Sequence, residues 1–269
     1  GVQGEEFFAE VVARVQGLPV RQVVRHLAGP LAEEHRLVIG RGFVQFGTAK
    51  LSRFHFVHSI FQHYLYDELG EAERAYLHQD VGDALEALAG DHRQEVAAQL
   101  ARHFELAGLY DRAAAYRLQA GNRAWRLSAS KEAIDHLIRG LELLAPLPPI
   151  PDQVHLEMDL QTLLATALVV TEGYGSTHVQ ETYTRARELS QRLGNPPAAL
   201  PALYGLSAFR FARAELEEAM TEGQSVLELA EVAGSSAYVL GARVVLGSSA
   251  LHLARHELAR RHLEAVTED

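Results

Sequence analysis

Residues 216–230 read LEEAMTEGQSVLELA, and residues 256–266 read HELARRHLEAV. Ala219 and Ala259 occupy equivalent places in the two. Val179, in HVQETYTRARELSQ (178–191), lies upstream of Ala219 by the same interval that separates Ala219 from Ala259. Ala133 in KEAIDHLIRGLELL (131–144) and Ala113 in DRAAAYRLQAG (111–121) extend the series at irregular intervals. In each unit a small or branched residue is followed by partners four and seven positions on: Val179–Tyr183–Ala186, Ala133–Leu137–Gly140, Ala259–Leu263–Val266. That spacing keeps one face of a helix. Small side chains on the face let antiparallel helices approach closely, and bulky ones fill the space between pairs. A unit of this size cannot bury its face alone, so the pattern predicts helix hairpins stacked into an α-solenoid.

Working outward, helical periodicity runs over 58–69, 71–88, 93–107, 110–127, 130–144, 153–170, 176–193, 197–212, 215–233, 236–253 and 256–266. Breaks fall at Gly70, Gly90, Gly108, Pro146 to Pro151, Gly173, Gly194 to Pro197 and Gly234. The Pro-rich stretch APLPPIP (145–151) reads as a stiff connector.

The segment 1–70 differs. EEFFAEVVARV (5–15) spaces Phe8, Val11, Val12 and Val15 as a helix would, and 19–38 continues with Val23, Val24, Leu27, Leu31 and Leu37. Gly29-Pro30 should interrupt that second run, because proline lacks the N–H a helix interior needs. The period then changes to two. Phe43 to Phe46, a Gly47-Thr48 turn and Phe54-His55-Phe56 predict a short two-stranded hairpin, with a loop of about seven residues carrying Lys50 and Arg53. Helices, a hairpin and one more helix describe a winged-helix module over 1–70, followed by a helical-repeat arm over 71–269. The expected class is therefore all-α, with one small hairpin.

Composition narrows the function. The chain has 269 residues, 48% of them hydrophobic, which is an ordinary globular balance. Its zero cysteines exclude disulfides and thiolate metal sites. No stretch approaches the roughly 18 apolar residues of a membrane span, and the acidic start GVQGEEFF has no signal pattern, so a cytoplasmic location is expected. The net charge is −10. The segment 1–70 balances seven basic against seven acidic groups, leaving 18 against 28 for the remainder. An acidic surface repels phosphate backbones and disfavours nucleic acid as a partner.

Two spacings, Phe104–x3–Gly108–x4–Ala113–x6–Ala120 and Gly247–x2–Ala250–x3–Ala254–x4–Ala259, resemble the tetratricopeptide repeat. The order of modules is similar to the C-terminal half of bacterial signal-transduction ATPases of the STAND class, both those associated with adenylate cyclase modules and those that regulate transcription. The likeness rests on Phe54, Phe56, His58, Leu65-Tyr66, Leu69, Arg74, Leu77 and His78 at the junction, and on AGNRAWRLSASKEAIDHLIRGLELL (120–144) after it. In that family a P-loop ATPase domain precedes the winged helix. No GxxxxGK[ST] loop occurs here. The resemblance thus implies a piece of a longer polypeptide, with ATP or ADP bound upstream and not by this region. It also implies that His58 faces the nucleotide in the intact protein. The alternative for His58 is that it caps or packs the helix that begins there.

Other candidate sites have plainer explanations. Phe54, Phe56, Phe61, Tyr64 and Tyr66 could form a stacking platform, but the helical spacing Phe61–Leu65–Leu69 favours the core of a joint. His252 and His256 stand at i and i+4, a spacing that can hold a metal on one helix. A helix boundary between the two and the lack of a third ligand favour a solvated helix end. GYGST (173–177) could draw an anion to a helix N-terminus. An N-cap at Ser176 or Thr177 explains the same letters.

Glu5-Glu6 and Glu217-Glu218 sit in exposed helical patterns with no nucleophile beside them, so catalysis by this chain is not expected. The reading that results is a non-catalytic regulatory region whose arm binds a protein, peptide or small inducer. Candidate groove residues are Tyr116, Tyr183, Tyr204, Phe209, Arg210 and Phe211. A DNA-binding winged-helix regulator and a free-standing repeat scaffold are the alternatives. A helix-based metal hydrolase at His252 and His256 is a third.

Overall fold

The computed structural model describes residues 1–46, 49–194 and 196–268. The chain divides into two compact units, residues 1–123 and 124–269.

The first unit opens with a strand, β1 (Glu6–Phe8), which runs directly into helix α1 (Ala9–Val15). Helix α2 (Val20–Ala28) follows and stops at Gly29-Pro30, as expected, where a π-helical turn (Pro30–Glu34) takes over. Strands β2 (Val38–Phe46) and β3 (Ala49–Phe56) complete an antiparallel sheet in the order β1-β3-β2. Glu6 lies opposite His55, Phe8 opposite Arg53 and Val44 opposite Leu51, and the β2–β3 register shifts between Gly40 and Phe43.

Two expectations fail here. The helix foreseen from residue 5 begins only at Ala9, because residues 6–8 pair with β3 and alternate in burial. Phe7 turns inward, its ring centroid 6.0 Å from that of Phe54 and 5.1 Å from that of Phe56. Pairing with a neighbouring strand outweighs a helical period carried by Phe8, Val11, Val12 and Val15 alone. The hairpin strands are also longer than foreseen. Lys50 and Arg53 lie within β3, not in a loop, and Arg53 reaches Glu6 across the sheet at 3.8 Å. The foreseen Gly47-Thr48 turn falls outside the described residues. The molecule is mostly helical, but a three-stranded sheet replaces the two-stranded hairpin of the all-α expectation.

Phe7, Phe54 and Phe56 form one small core with Val23, Leu27 and Val38. Helix α3 (Ser59–Asp67) does not join it as the sequence had implied. Phe61 is 37% exposed, Leu65 49% and Tyr64 63%. Helical spacing identifies a shared face but not the direction in which it points. The inward side of α3 is mixed: Leu65 lines a cavity with Phe7 and Phe56, buried Gln62 donates to the Gly1 carbonyl at 2.8 Å, and the Tyr66 hydroxyl meets His78 at 3.0 Å.

Helix α4 (Glu71–Ala89) leads through a 3-10 turn into α5 (Ala97–Leu106) and α6 (Tyr110–Arg126). Phe104, fully buried, anchors this layer. Tyr116 stacks on it at 5.6 Å between centroids, and the Arg112 guanidinium lies 3.7 Å from its ring centre.

The second unit is built of helices: α7 (Ser130–Leu144), α8 (Pro151–Glu172), α9 (Thr177–Leu193), α10 (Leu200–Ala212), α11 (Leu216–Ala233), α12 (Ser236–His252) and α13 (His256–Glu268). Helices α8/α9, α10/α11 and α12/α13 pack as successive hairpins, and α10 also packs on α9 and α12. The small residues of the sequence pattern lie in buried positions. Ala113, Ala133, Val179 and Ala219 are fully buried, and Ala259 nearly so. Leu137, four residues after Ala133, and Leu189 are likewise buried completely. These are tetratricopeptide-like hairpins, each closing its face against the next.

Candidate ligand-binding surface

The residues singled out by sequence do not form one groove. Tyr116 belongs to the first unit and is buried, its hydroxyl donating to Glu86. Burial and that carboxylate push the Tyr116 phenol up to about 12. Phe209 is buried in α10. Arg210 is held by Glu215 at 2.8 Å and Glu222 at 3.1 Å, so its charge is already matched inside the hairpin. Phe211 is half-buried, with its ring edge-on to His252 at 5.6 Å.

Tyr183 and Tyr204 do come together, and they bring two tyrosines the sequence reading had missed. Tyr183, on α9, lies directly over Gly205 of α10, where any Cβ would collide with its ring. Tyr204, on α10, repeats the arrangement over Gly241 of α12, where a Cβ would stand 2.7 Å from the ring. Tyr204 and Tyr238 meet edge to face at 5.9 Å. Tyr174 completes the group from the turn after α8. Burial, with smaller contributions from the other three phenols, pushes the Tyr183 hydroxyl up to about 12, and burial raises those of Tyr174 and Tyr238. Tyr174, Tyr204 and Tyr238 remain half-buried, so each keeps part of its surface exposed. Half-buried tyrosines present large, stiff area with a polar tip, which suits recognition. The signal in the sequence was the neighbouring glycine: Tyr204 precedes Gly205, and Tyr238 stands just upstream of Gly241.

A concavity of about 490 Å³ lies beside the Pro-rich connector. Leu144, Leu147 and Pro148 line it, together with Gln153, Gln161 and Arg192. Arg185, also at its edge, is tied to Glu157 at 2.8 Å.

His58 is exposed at the N-cap position of α3. Its carbonyl accepts from the Phe61 N–H at 3.2 Å, its side chain makes no capping hydrogen bond, and its ring lies 6.0 Å from that of Phe61. Ser176 is the N-cap of α9 and accepts from the His178 N–H at 3.1 Å, which accounts for GYGST. His252 ends α12 and bonds the Ser248 carbonyl, whereas His256 opens α13. A helix boundary therefore separates the two histidines. Among the described residues no three histidines or carboxylates are grouped to hold a metal ion, and no helix is long and apolar enough to cross a membrane.

No protein-family model matches the sequence, and no curated protein does. Solved structures do resemble the fold. BtubC (BKLC) from P. vanneervenii superposes with a TM-score of 0.55 over 77% of this chain and 84% of its own, at 12% identity. Aspartyl phosphate phosphatase F from Bacillus subtilis superposes with a TM-score of 0.51 over 93% of this chain, at 10% identity, and the match spans 60% of that protein. At these identities the likeness is one of fold alone.

Proposed function

We propose that this chain is a non-catalytic interaction region, binding a peptide or protein partner on its helical repeats. The observation that carries this reading is the row of tyrosines over glycines on α9, α10 and α12. It places rings and hydroxyls from adjoining hairpins in one patch, where a ligand would touch several repeats at once. A finer reading places the region in a signal-transducing ATPase of the STAND class. Its support is the path strand–helix–helix–strand–strand of the first unit and the exposed His58 where α3 begins. An imidazole there can donate to a phosphate oxygen of a nucleotide held by a neighbouring domain.

Panning a random dodecapeptide display library against the protein tests the reading. A consensus peptide should emerge, bind at one site by calorimetry, and lose at least about tenfold in affinity, or about 1.4 kcal/mol, with Tyr238→Ala. Absence of any enriched sequence, or binding unaffected by that substitution, counts against it.

A second reading has one observation in its favour. Helix α2 carries Arg21, Gln22, Arg25 and His26 on its exposed side and contains no acidic residue. Were this the face of a DNA reader, the protein would bind duplex DNA with an affinity that falls steeply as salt rises. No binding at low salt removes that reading.

A further inference from the structure

Three side chains in the first unit form a buried polar chain that the interaction reading does not use. His78, on α4, is 1% exposed, and His103, on α5, is 5% exposed. Their Nδ1 atoms are 2.9 Å apart, and their rings are 5.1 Å apart at 42°. The other nitrogen of His78, Nε2, lies 3.0 Å from the Tyr66 hydroxyl on α3. We propose that Tyr66, His78 and His103 form a proton-operated clasp, joining α3, α4 and α5 while the imidazoles are neutral and releasing them in acid.

The chemistry follows from counting protons. Two Nδ1 atoms at hydrogen-bond distance need one N–H between them. If His103 donates, His78 accepts at Nδ1 and donates from Nε2 to the Tyr66 oxygen. If His78 donates, the Tyr66 hydroxyl donates to Nε2. Both neutral arrangements satisfy the His78–His103 and His78–Tyr66 contacts. One added proton is tolerated, because a cationic imidazole can donate to its neutral neighbour. A second proton puts two N–H groups face to face and leaves two cations buried side by side, which the site cannot stabilise.

The surroundings reinforce this. Burial, and secondarily the Arg102 guanidinium, lower His78 to about 4. Burial first, then His78 and Arg102, lower His103 to about 3. Among the charged groups facing the chain, Glu5 and Glu6 share a cleft with His103. His63 and the Glu105–Arg117 pair share one with Tyr66. The Arg74 guanidinium lies 4.8 Å from the Tyr66 ring centre. Among the described residues no carboxylate bonds either imidazole, so the added charge has no paired anion there.

Both folded values lie below the ordinary 6.5, so the unfolded state binds more protons between them. The stability the clasp contributes is present above pH 6.5 and is lost as pH falls towards about 4 and about 3. Helix α3 is the element to be freed first. Its outer side chains are exposed, and Tyr66 is one of its few inward anchors.

Hydrogen–deuterium exchange on the whole protein at about pH 7.5 and about pH 4.5, corrected for intrinsic rates, tests the clasp. Residues 59–67 and 71–89 should lose at least about tenfold in protection in acid relative to residues 236–252, one pKa unit's worth for one group. In His103→Leu that difference should shrink markedly, because only His78 is left to titrate. The same loss in the variant as in the wild type overturns the proposal. Should His103→Leu not fold, nitrogen NMR of the wild-type imidazoles decides. Both rings should stay neutral at about pH 5.5, where histidine in an unfolded chain is mostly protonated. Two protonated rings at that pH would refute the clasp.

Discussion

Among the described residues, four of the helix-to-helix turns that close on a left-handed residue are followed by a repeat unit's small residue, and three of these four do so without glycine. Gly108, Ser128, Ala214 and Ala254 all have positive φ, at 75°, 60°, 60° and 56°. In each turn the following residue donates its N–H to the carbonyl five positions back: Leu109 to Phe104, Ala129 to Ala124, Glu215 to Arg210 and Arg255 to Ala250, all at 2.8–2.9 Å. This is the Schellman closure of a helix C-terminus, where the left-handed residue is usually glycine. The buried small residue of the repeat follows five positions later in every case, at Ala113, Ala133, Ala219 and Ala259. An L-residue in the left-handed region costs roughly 1–2 kcal/mol. Replacing it with glycine returns about 0.4–1 kcal/mol of that to the unfolded chain as entropy. The methyl groups of Ala214 and Ala254 are exposed, so no packing is lost on removing them.

Ala214→Gly and Ala254→Gly should therefore each stabilise the second unit by about 0.5–1 kcal/mol. Lying in separate turns, they should combine nearly additively. The combined variant should melt roughly 3–6 °C higher. Urea unfolding followed by fluorescence measures this cleanly, because the single tryptophan, Trp125, reports on the second unit. The reverse change, Gly108→Ala, should lower the stability of the first unit by a similar amount, read by far-ultraviolet circular dichroism. If both alanine-to-glycine variants are neutral or weaker while Gly108→Ala costs nothing, backbone handedness does not set these turns, and the reasoning fails.

Gly205→Ala forces a Cβ into the Tyr183 ring and should cost about 1–3 kcal/mol by the same fluorescence assay, whereas an exposed alanine elsewhere on α10 should be near neutral. Phe104→Ala empties the site between Tyr116 and Gly82 and should cost about 3–5 kcal/mol in the first unit, read by far-ultraviolet circular dichroism. Ultraviolet titration should find two phenols, Tyr116 and Tyr183, ionising only near about 12. Tyr116→Phe should remove one of them. The unfolded chain sheds those protons near 10, so the contribution of both tyrosines to stability should fall as pH rises from about 10 to about 12.

The repeat region was legible because its signals are local. Glycine and proline mark most turns, and the apolar spacing that predicts a helix over 130–144 is met residue for residue by α7. Where a turn is made by Ala214 or Ala254, the break in the pattern was visible but the left-handed backbone was not, since alanine normally avoids it. The first unit was less legible because its decisive interactions are remote. β1 exists only because β3, separated from it by two helices and β2, supplies its partners. The His78–His103 pair unites helices whose periodicity says which residues face inward but not which ones meet. Of the candidate groove residues, Tyr183 and Tyr204 fell in the patch, while Phe209 and Arg210 were claimed by packing and ion pairing.

The tyrosines also bear on how binding on this fold is transmitted. In a stack of hairpins, stability is close to a sum of each hairpin and its contacts with its neighbours. A ligand can therefore alter the arrangement only through those interfaces. Tyr183 over Gly205 is the α9–α10 interface, and Tyr204 over Gly241 is the α10–α12 interface. Both are flat rings against bare backbone, where a small shift of the ring changes the spacing of two helices without breaking a hydrogen bond. A ligand that presses on the half-buried Tyr204, directly or through the Tyr238 ring beside it, would act on atoms that set the α10–α12 spacing. On the proposed reading, recognition and helix packing would share one set of side chains, which is what coupling between a bound partner and the geometry of the stack requires.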